Sequence, residues 1–170
     1  GGPGATPFLY MAKQHHGKVR QPLQGWMGHA NPFDFSTVYD PAGGVRSFLS
    51  GTPGILGMAA LDAALDVFDG VSLSELRAKS QALTQTFIEL VTKLALPGIR
   101  VLSPLKPENR GSQVSLTHKN GYAISQALID QGIIVDFRTP DIVRFGFSPL
   151  YNRFVDVGMA VSTLARIIEN

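Results

Sequence analysis

The hydrophobic spacing of residues 72–169 changes period in a set order, and that order limits the folds the chain can adopt. A helical pattern gives way near residue 99 to two strand-like segments, a helix, two more strand-like segments and a last helix. The order β-β-α-β-β-α predicts an α+β sandwich built on an antiparallel sheet. No internal repeat interrupts it.

Local signals place the two helices that precede this sandwich. Thr52-Pro53 has the form of an N-cap followed by proline at the first helical position, and Gly70 is expected to end that helix. The helix is apolar around most of its circumference, which predicts deep burial. Ser72-Leu73-Ser74-Glu75 has the pattern of a capping box and opens a longer helix to about Leu96, ended by Pro97-Gly98.

The sandwich itself is predicted in six further segments. They are strands at Ile99–Leu102 and Val114–Leu116, a helix from Asn120 or Gly121 through Leu128, a strand pair at Ile133–Phe137 and Ile142–Phe147 joined by Thr139-Pro140-Asp141, and a helix over 153–169.

Residues 1–50 are rich in glycine, proline and aromatic residues and show little helical period. A Gly1-Gly2-Pro3-Gly4 turn feeds a predicted strand at Phe8–Ala12, an arrangement usual inside a domain, so we expect the protein to continue upstream of residue 1. A loop-rich stretch of this length is uncommon in a compact domain unless it is functional.

Composition excludes several classes of function. The chain has no cysteine, which excludes disulfides, thiolate metal sites and cysteine nucleophiles. Its 15 lysines and arginines are scattered and the formal charge is +2, so no basic face for nucleic acid is expected. No apolar run approaches the roughly 18 residues of a membrane span. His15, His16 and His29 have no further ligands at metal-site spacing. A cytoplasmic protein without a metal fits these features.

Two candidate ligand sites lie in the first 53 residues. Trp26, between two glycines, either packs its loop down or offers an indole N–H and a ring face to a ligand. Ser50-Gly51-Thr52-Pro53, ahead of a helix, is either a plain N-cap or an anion site made of backbone N–H groups and a hydroxyl.

Arg144 is the third candidate, because it stands in an apolar strand between Val143 and Phe145, where an unpaired charge is costly. Its partner is either internal, Asp136 or Asp141, or a ligand carboxylate held by the guanidinium fork. No lysine occupies an apolar setting suited to Schiff-base chemistry. The six lysines are Lys13, Lys18, Lys79, Lys93, Lys106 and Lys119.

Taken together, these motifs resemble the bacterial kynureninase family of fold-type I pyridoxal-phosphate enzymes. The resemblance covers all 170 residues in order, with Arg153-Phe154-Val155-Asp156-Val157 following the last motif. The motifs are Gly1-Gly2-Pro3-Gly4, Gln21-Pro22-Leu23-Gln24-Gly25-Trp26-Met27-Gly28-His29, Phe48-Leu49-Ser50-Gly51-Thr52-Pro53 and Arg144-Phe145-Gly146-Phe147-Ser148-Pro149-Leu150-Tyr151.

The resemblance implies the fold of the fold-type I enzymes. Residues 1–70 would be the end of the large cofactor domain and would include dimer-interface loops and a helix. Residues 71–170 would be the small α+β domain. Trp26, Gly51 and Thr52 would contact the phosphate of pyridoxal phosphate across a homodimer interface. Arg144 would bind the substrate α-carboxylate. Gly54, where relatives often carry a second proline, departs from the pattern.

The implied reaction is hydrolysis of L-kynurenine, or its 3-hydroxy derivative, to anthranilate, or 3-hydroxyanthranilate, and L-alanine in tryptophan catabolism and NAD biosynthesis. In the family the cofactor-binding lysine lies a few residues upstream of the Gly-Gly-Pro-Gly turn, so no catalytic residue is assigned here. This chain alone is expected to be inactive without its missing N-terminal portion. The alternative is a stand-alone, non-catalytic binding domain of the same fold.

Overall fold

A computed structural model describes residues 5–169. The predicted Gly1–Gly4 turn lies outside the described residues. The chain forms two compact units, divided between Asp69 and Gly70. None of the helices within residues 5–169 is long and apolar enough to cross a membrane.

The second unit is a four-stranded antiparallel sheet with three helices, as the sequence predicts. The strands follow the spatial order β1-β2-β4-β3. The elements are α2 (Leu73–Leu94), β1 (Arg100–Val101), β2 (Gln113–Thr117), α3 (Gly121–Asp130), β3 (Asp136–Arg138), β4 (Ile142–Gly146) and α4 (Phe154–Glu169).

One face of this sheet packs on the helices and forms the core. The side chain of Phe87 in α2 is fully buried, and its ring centroid lies 4.7 Å from that of Phe145 and 5.2 Å from that of Phe147. Strand residues alternate between the two faces. Val143 and Phe145 are therefore in the core, while Arg144 between them points to the opposite face.

Two boundaries and one helix cap in the second unit differ from the prediction. The long helix ends at Leu94, because Ala95 takes a left-handed conformation with φ of 46°. Ser72 is the predicted N-cap, but its hydroxyl lies 2.6 Å from the Ser74 hydroxyl and makes no capping bond. The strand predicted from Ile133 begins only at Asp136, since the Ile133 N–H donates to Leu128 O at 2.9 Å and completes the end of α3.

A buried arginine holds the connection from β1 to β2. Arg110 is 4% exposed and donates to the carbonyls of Pro104 and Leu105 at 2.7 and 3.0 Å. Arg77 of α2 donates to the carbonyls of Arg110 and Pro107. Burial, and then the nearby charge of Arg77, lower the pKa of Arg110.

The first unit has α1 (Ile55–Leu65), a 3₁₀ turn after it at Asp66–Phe68, and three more 3₁₀ turns at Lys13–His15, Trp26–Gly28 and Gly44–Phe48. The strand predicted at Phe8–Ala12 is wrong, because no strand forms there and Phe8 and Tyr10 are 88% and 85% exposed. The predicted burial of the apolar helix is also wrong for this chain, since α1 contains no buried residue.

The predicted N-cap at Thr52 is wrong as well. Gly54 is the N-cap residue, and the first α1 bond runs from the Met58 N–H to Gly54 O at 3.0 Å. Thr52 therefore stands two residues outside the helix, and both Gly51 and Thr52 are exposed.

Candidate functional site

Two glycines bring the loop of Trp26 against the segment that precedes Gly51. A Cβ atom on Gly25 would lie 1.7 Å from Ser50 O, and one on Gly28 would lie 2.6 Å from Leu49 O. Only a residue without a side chain permits such close approach of two backbones. The Ser50 hydroxyl also donates to Leu23 O at 3.1 Å. The structure thus joins the residue before Trp26 to the residue before Gly51.

Trp26 is 47% exposed, and its ring meets Phe33 edge to face, with centroids 5.7 Å apart. It lines an aromatic hollow of about 460 Å³ together with His29, Phe33, Phe35 and Tyr39. Within residues 5–169 no acceptor is bonded to the indole N–H. Trp26 can therefore donate to a ligand.

His29 fixes the far side of this hollow, a role that no sequence pattern indicated. Its Nδ1 accepts from the Asn31 N–H at 2.9 Å, so its Nε2 is the donor to Val38 O at 3.3 Å. A ring that accepts at one nitrogen and donates at the other is neutral. Tyr39 packs edge to face on His29 with centroids 5.4 Å apart, and its buried hydroxyl has no partner in the described chain.

Arg144 lies in the second unit, on the sheet face opposite the core. Its Nη2 donates to Oδ2 of Asp136, which stands directly across the β3–β4 ladder. Asp141, the other internal candidate, has no ion pair in the described residues. The Arg144 side chain is 28% exposed, and its Nε is buried without a hydrogen-bond partner.

The sequence left the partner of Arg144 open between an internal carboxylate and a ligand, and the structure provides the internal one. One Asp136 oxygen accepts only one of the five N–H groups of a guanidinium. Donors therefore remain for a second carboxylate. The three phosphate-side candidates lie in the first unit and Arg144 in the second. Within the first unit, the loop that carries Trp26 touches the segment that leads into Gly51 and Thr52.

The lysines of the described chain are not in desolvated positions. Five of them are exposed, and Lys79 is partly exposed on α2. Lysines that form Schiff bases sit in apolar pockets, and none of these exposed or partly exposed lysines does.

Solved structures of similar fold are enzymes with low sequence identity. A cysteine desulfurase of Thermococcus onnurineus matches with a TM-score of 0.76 at 18% identity over 94% of this chain and 42% of that chain. The cystine C-S lyase C-DES matches with a TM-score of 0.72 at 20% identity over 92% of this chain and 41% of its own. A C-DES mutant with glycine linked to its PLP cofactor matches with a TM-score of 0.64 at 23% identity, over 88% and 38%. The fold is that of the fold-type I pyridoxal-phosphate enzymes.

The sequence comparisons define the family. Residues 76–164, more than half of the chain, match the family model described as the kynureninase C-terminal domain. A kynureninase of Deinococcus radiodurans is 50% identical over 99% of this chain, and one of Burkholderia mallei is 44% identical over 99%. The chain belongs to the kynureninase family, as the motifs indicated. It spans 42% and 41% of the length of these two relatives.

Proposed function

We propose that this chain is the C-terminal part of a kynureninase, which hydrolyses L-kynurenine, or its 3-hydroxy derivative, to anthranilate or 3-hydroxyanthranilate and L-alanine. The cofactor would be pyridoxal phosphate, and the setting tryptophan catabolism in the cytoplasm. Family membership supports the proposal. The observation that carries it is Arg144, whose side chain is 28% exposed and which Asp136 engages through one terminal nitrogen only, so that further guanidinium donors remain for a carboxylate.

Arg144 would bind the substrate through its α-carboxylate. Arginine and carboxylate form charge-assisted, frequently bidentate hydrogen bonds, which fix orientation as well as position. Kynurenine carries one such carboxylate beside its α-amino group. Arg144 would therefore orient the amino-acid end of the substrate.

The first unit would hold the phosphate of the cofactor. Trp26 offers an indole N–H without an acceptor in the described chain, Thr52 an exposed hydroxyl, and Gly51 an open space in which a Cβ would meet nothing within 4 Å. These donors fit a phosphate, which accepts hydrogen bonds from neutral N–H and O–H groups. When bound, pyridoxal phosphate supplies the electron sink of the reaction.

The two units would belong to different domains of the whole enzyme. We assign residues 1–70 to the end of the large cofactor domain and residues 71–170 to the small domain. The cofactor-binding lysine would lie in the portion that precedes residue 1, since the relatives are more than twice as long as this chain.

The test of this function uses the longer protein, with the portion that the relatives carry ahead of the matched segment. With pyridoxal phosphate bound, it should release anthranilate and alanine in equal amounts from L-kynurenine. Anthranilate is followed by its fluorescence and alanine by amino-acid analysis. A protein that binds the cofactor and releases neither product would refute the proposal.

Residues 1–170 alone should form no specific covalent bond with pyridoxal phosphate. The reason is that the lysines are exposed or partly exposed, with no apolar site around any of them. The measurement is borohydride reduction after incubation, followed by peptide mapping. The longer protein, labelled at one upstream lysine, is the positive control. Stoichiometric labelling of a single lysine such as Lys13 would contradict the expectation.

Trp26→Phe in the longer protein should weaken binding of pyridoxal phosphate roughly 10- to 100-fold, because the ring is kept and one hydrogen bond to a charged phosphate is lost. The dissociation constant is measured by equilibrium dialysis. Phe33→Leu is the matched control, since it changes the ring that Trp26 contacts and removes no donor. An unchanged constant for Trp26→Phe would show that Trp26 only packs its loop.

We propose a homodimer because the apolar side chains of α1 are exposed. Its apolar side chains include Ile55, Leu56 and Leu65, which are 70%, 88% and 53% exposed. Apolar surface of this kind marks an interaction site or an aggregation hazard. Sedimentation of the 1–170 chain should therefore show self-association, weakened by Leu56→Gln. A monomer at all concentrations would oppose the proposal.

A further inference from the structure

Asp136 is fixed opposite Arg144 by the backbone. The two residues are directly paired in the β3–β4 register, and residues opposite each other in an antiparallel pair have Cβ atoms roughly 5 Å apart. Oδ2 of Asp136 accepts from Nη2 of Arg144. The ion pair therefore follows from the strand pairing and does not depend on a mobile loop.

The other oxygen of Asp136 is also occupied. Oδ1 lies 3.2 Å from Nη1 of Arg138, two residues along β3. With one cation on each oxygen, the carboxylate cannot turn away without losing both contacts. The three side chains together carry one net positive charge, so the cluster still attracts an anion.

An arginine that must bind a ligand loses rotamer freedom unless it is already held. The Asp136 contact holds the Arg144 head group at one nitrogen, and Nε remains without a partner. We propose that Asp136 is a positioning residue, which presents the guanidinium of Arg144 to the substrate α-carboxylate, with Arg138 holding Asp136 in place. This inference rests on the proposed role of Arg144.

The opposite role for Asp136 would be competition, in which its carboxylate occupies the place of the substrate carboxylate. The geometry favours positioning, because Asp136 accepts from a single terminal nitrogen and is tied by its own register and by Arg138. The two roles differ in sign: loss of a positioning carboxylate weakens substrate binding, whereas loss of a competitor strengthens it.

The experiment is Asp136→Asn in the longer protein loaded with cofactor. We expect KM for L-kynurenine to rise roughly 5- to 30-fold, because a misplaced binding group loses part of its contact, with kcat within about twofold of wild type. Asp141→Asn is the matched control. It makes the same change in the adjoining turn, at a carboxylate that has no ion pair in the described residues. Its KM should stay at the wild-type value.

A second measurement isolates the contribution of the ligand carboxylate. Inhibition constants are measured for L-alanine and for ethylamine, because ethylamine is L-alanine without its carboxylate. Asp136→Asn should weaken inhibition by L-alanine by the same factor as KM, and leave that by ethylamine unchanged. In a protein that already carries Arg144→Ala, adding Asp136→Asn should change neither the inhibition constant of L-alanine nor that of ethylamine. If Asp136→Asn does not fold, Asp136→Ser takes its place in the same measurements.

The outcomes separate the inference from the proposed function. If Arg144→Ala weakens L-alanine binding and Asp136→Asn does not, or strengthens it, the positioning role is wrong and the Arg144 assignment stands. An equal loss for L-alanine and ethylamine would show a general structural role and also overturn the inference. If Arg144→Ala itself has no effect, the carboxylate assignment fails and the inference fails with it.

Discussion

Arg144→Ala in the longer protein should lower kcat/KM for L-kynurenine roughly 30- to 1000-fold. The loss of a charge-assisted clamp on a carboxylate costs on the order of 2–4 kcal/mol. Affinity for pyridoxal phosphate should change little, because the proposed phosphate contacts are in the first unit. Steady-state kinetics and cofactor titration measure the two quantities.

The control for this variant is Arg100→Ala, which removes an exposed arginine that the strand register places on the same sheet face. Its effect should be much smaller, since Arg100 lies two strands away on β1 and makes no ion pair with Asp136 in the described residues. If kcat/KM of Arg144→Ala stays within about threefold of wild type, the role of Arg144 is structural and consists of its ion pair with Asp136. The alternative of a non-catalytic domain would then gain support.

Phe87→Ala should reduce the free energy of unfolding of the second unit by about 3–5 kcal/mol, the usual range for a fully buried phenylalanine. Phe87 contacts both Phe145 and Phe147, on either side of Gly146 in the chain. The loss is a large part of the roughly 5–15 kcal/mol that stabilises a domain. Urea unfolding of the chain, followed by circular dichroism, measures it.

Leu73→Ala is the matched control for the core, because Leu73 lies in the same helix and is 77% exposed. It should change the unfolding free energy by less than about 0.5 kcal/mol. Hydrogen exchange of the β4 amides shows in addition whether the strand that carries Arg144 opens more often in the Phe87→Ala variant. Unchanged stability of Phe87→Ala would mean that the packing around Phe145 differs from that described.

The second unit could be predicted from the sequence because its signals are local. The change of hydrophobic period gave the order of strands and helices, and Asn120 and Gly132 marked the limits of α3. The strand at Ile133 was predicted too long, since no sequence pattern shows that its N–H is used to end the preceding helix.

The first unit could be predicted only in part. Its 3₁₀ turns and backbone contacts have no period, so Phe8–Ala12 was wrongly predicted as a strand. The setting between glycines made Trp26 a candidate, but the sequence did not indicate Phe33 and Tyr39 beside it, because the loop that His29 folds back brings them there. For Arg144, the sequence showed that a partner was needed, and only the strand register could choose Asp136 over Asp141.

The contact between Gly25 and Ser50 has a consequence for comparing related sequences. The space beside the Gly25 Cα is filled by a carbonyl oxygen, so even alanine would force the two loops apart. A homologue with any other residue at this position must have a different loop arrangement, whatever its overall similarity. The identity of this one residue therefore shows, from sequence alone, whether the loops that carry the tryptophan and the threonine can keep this contact.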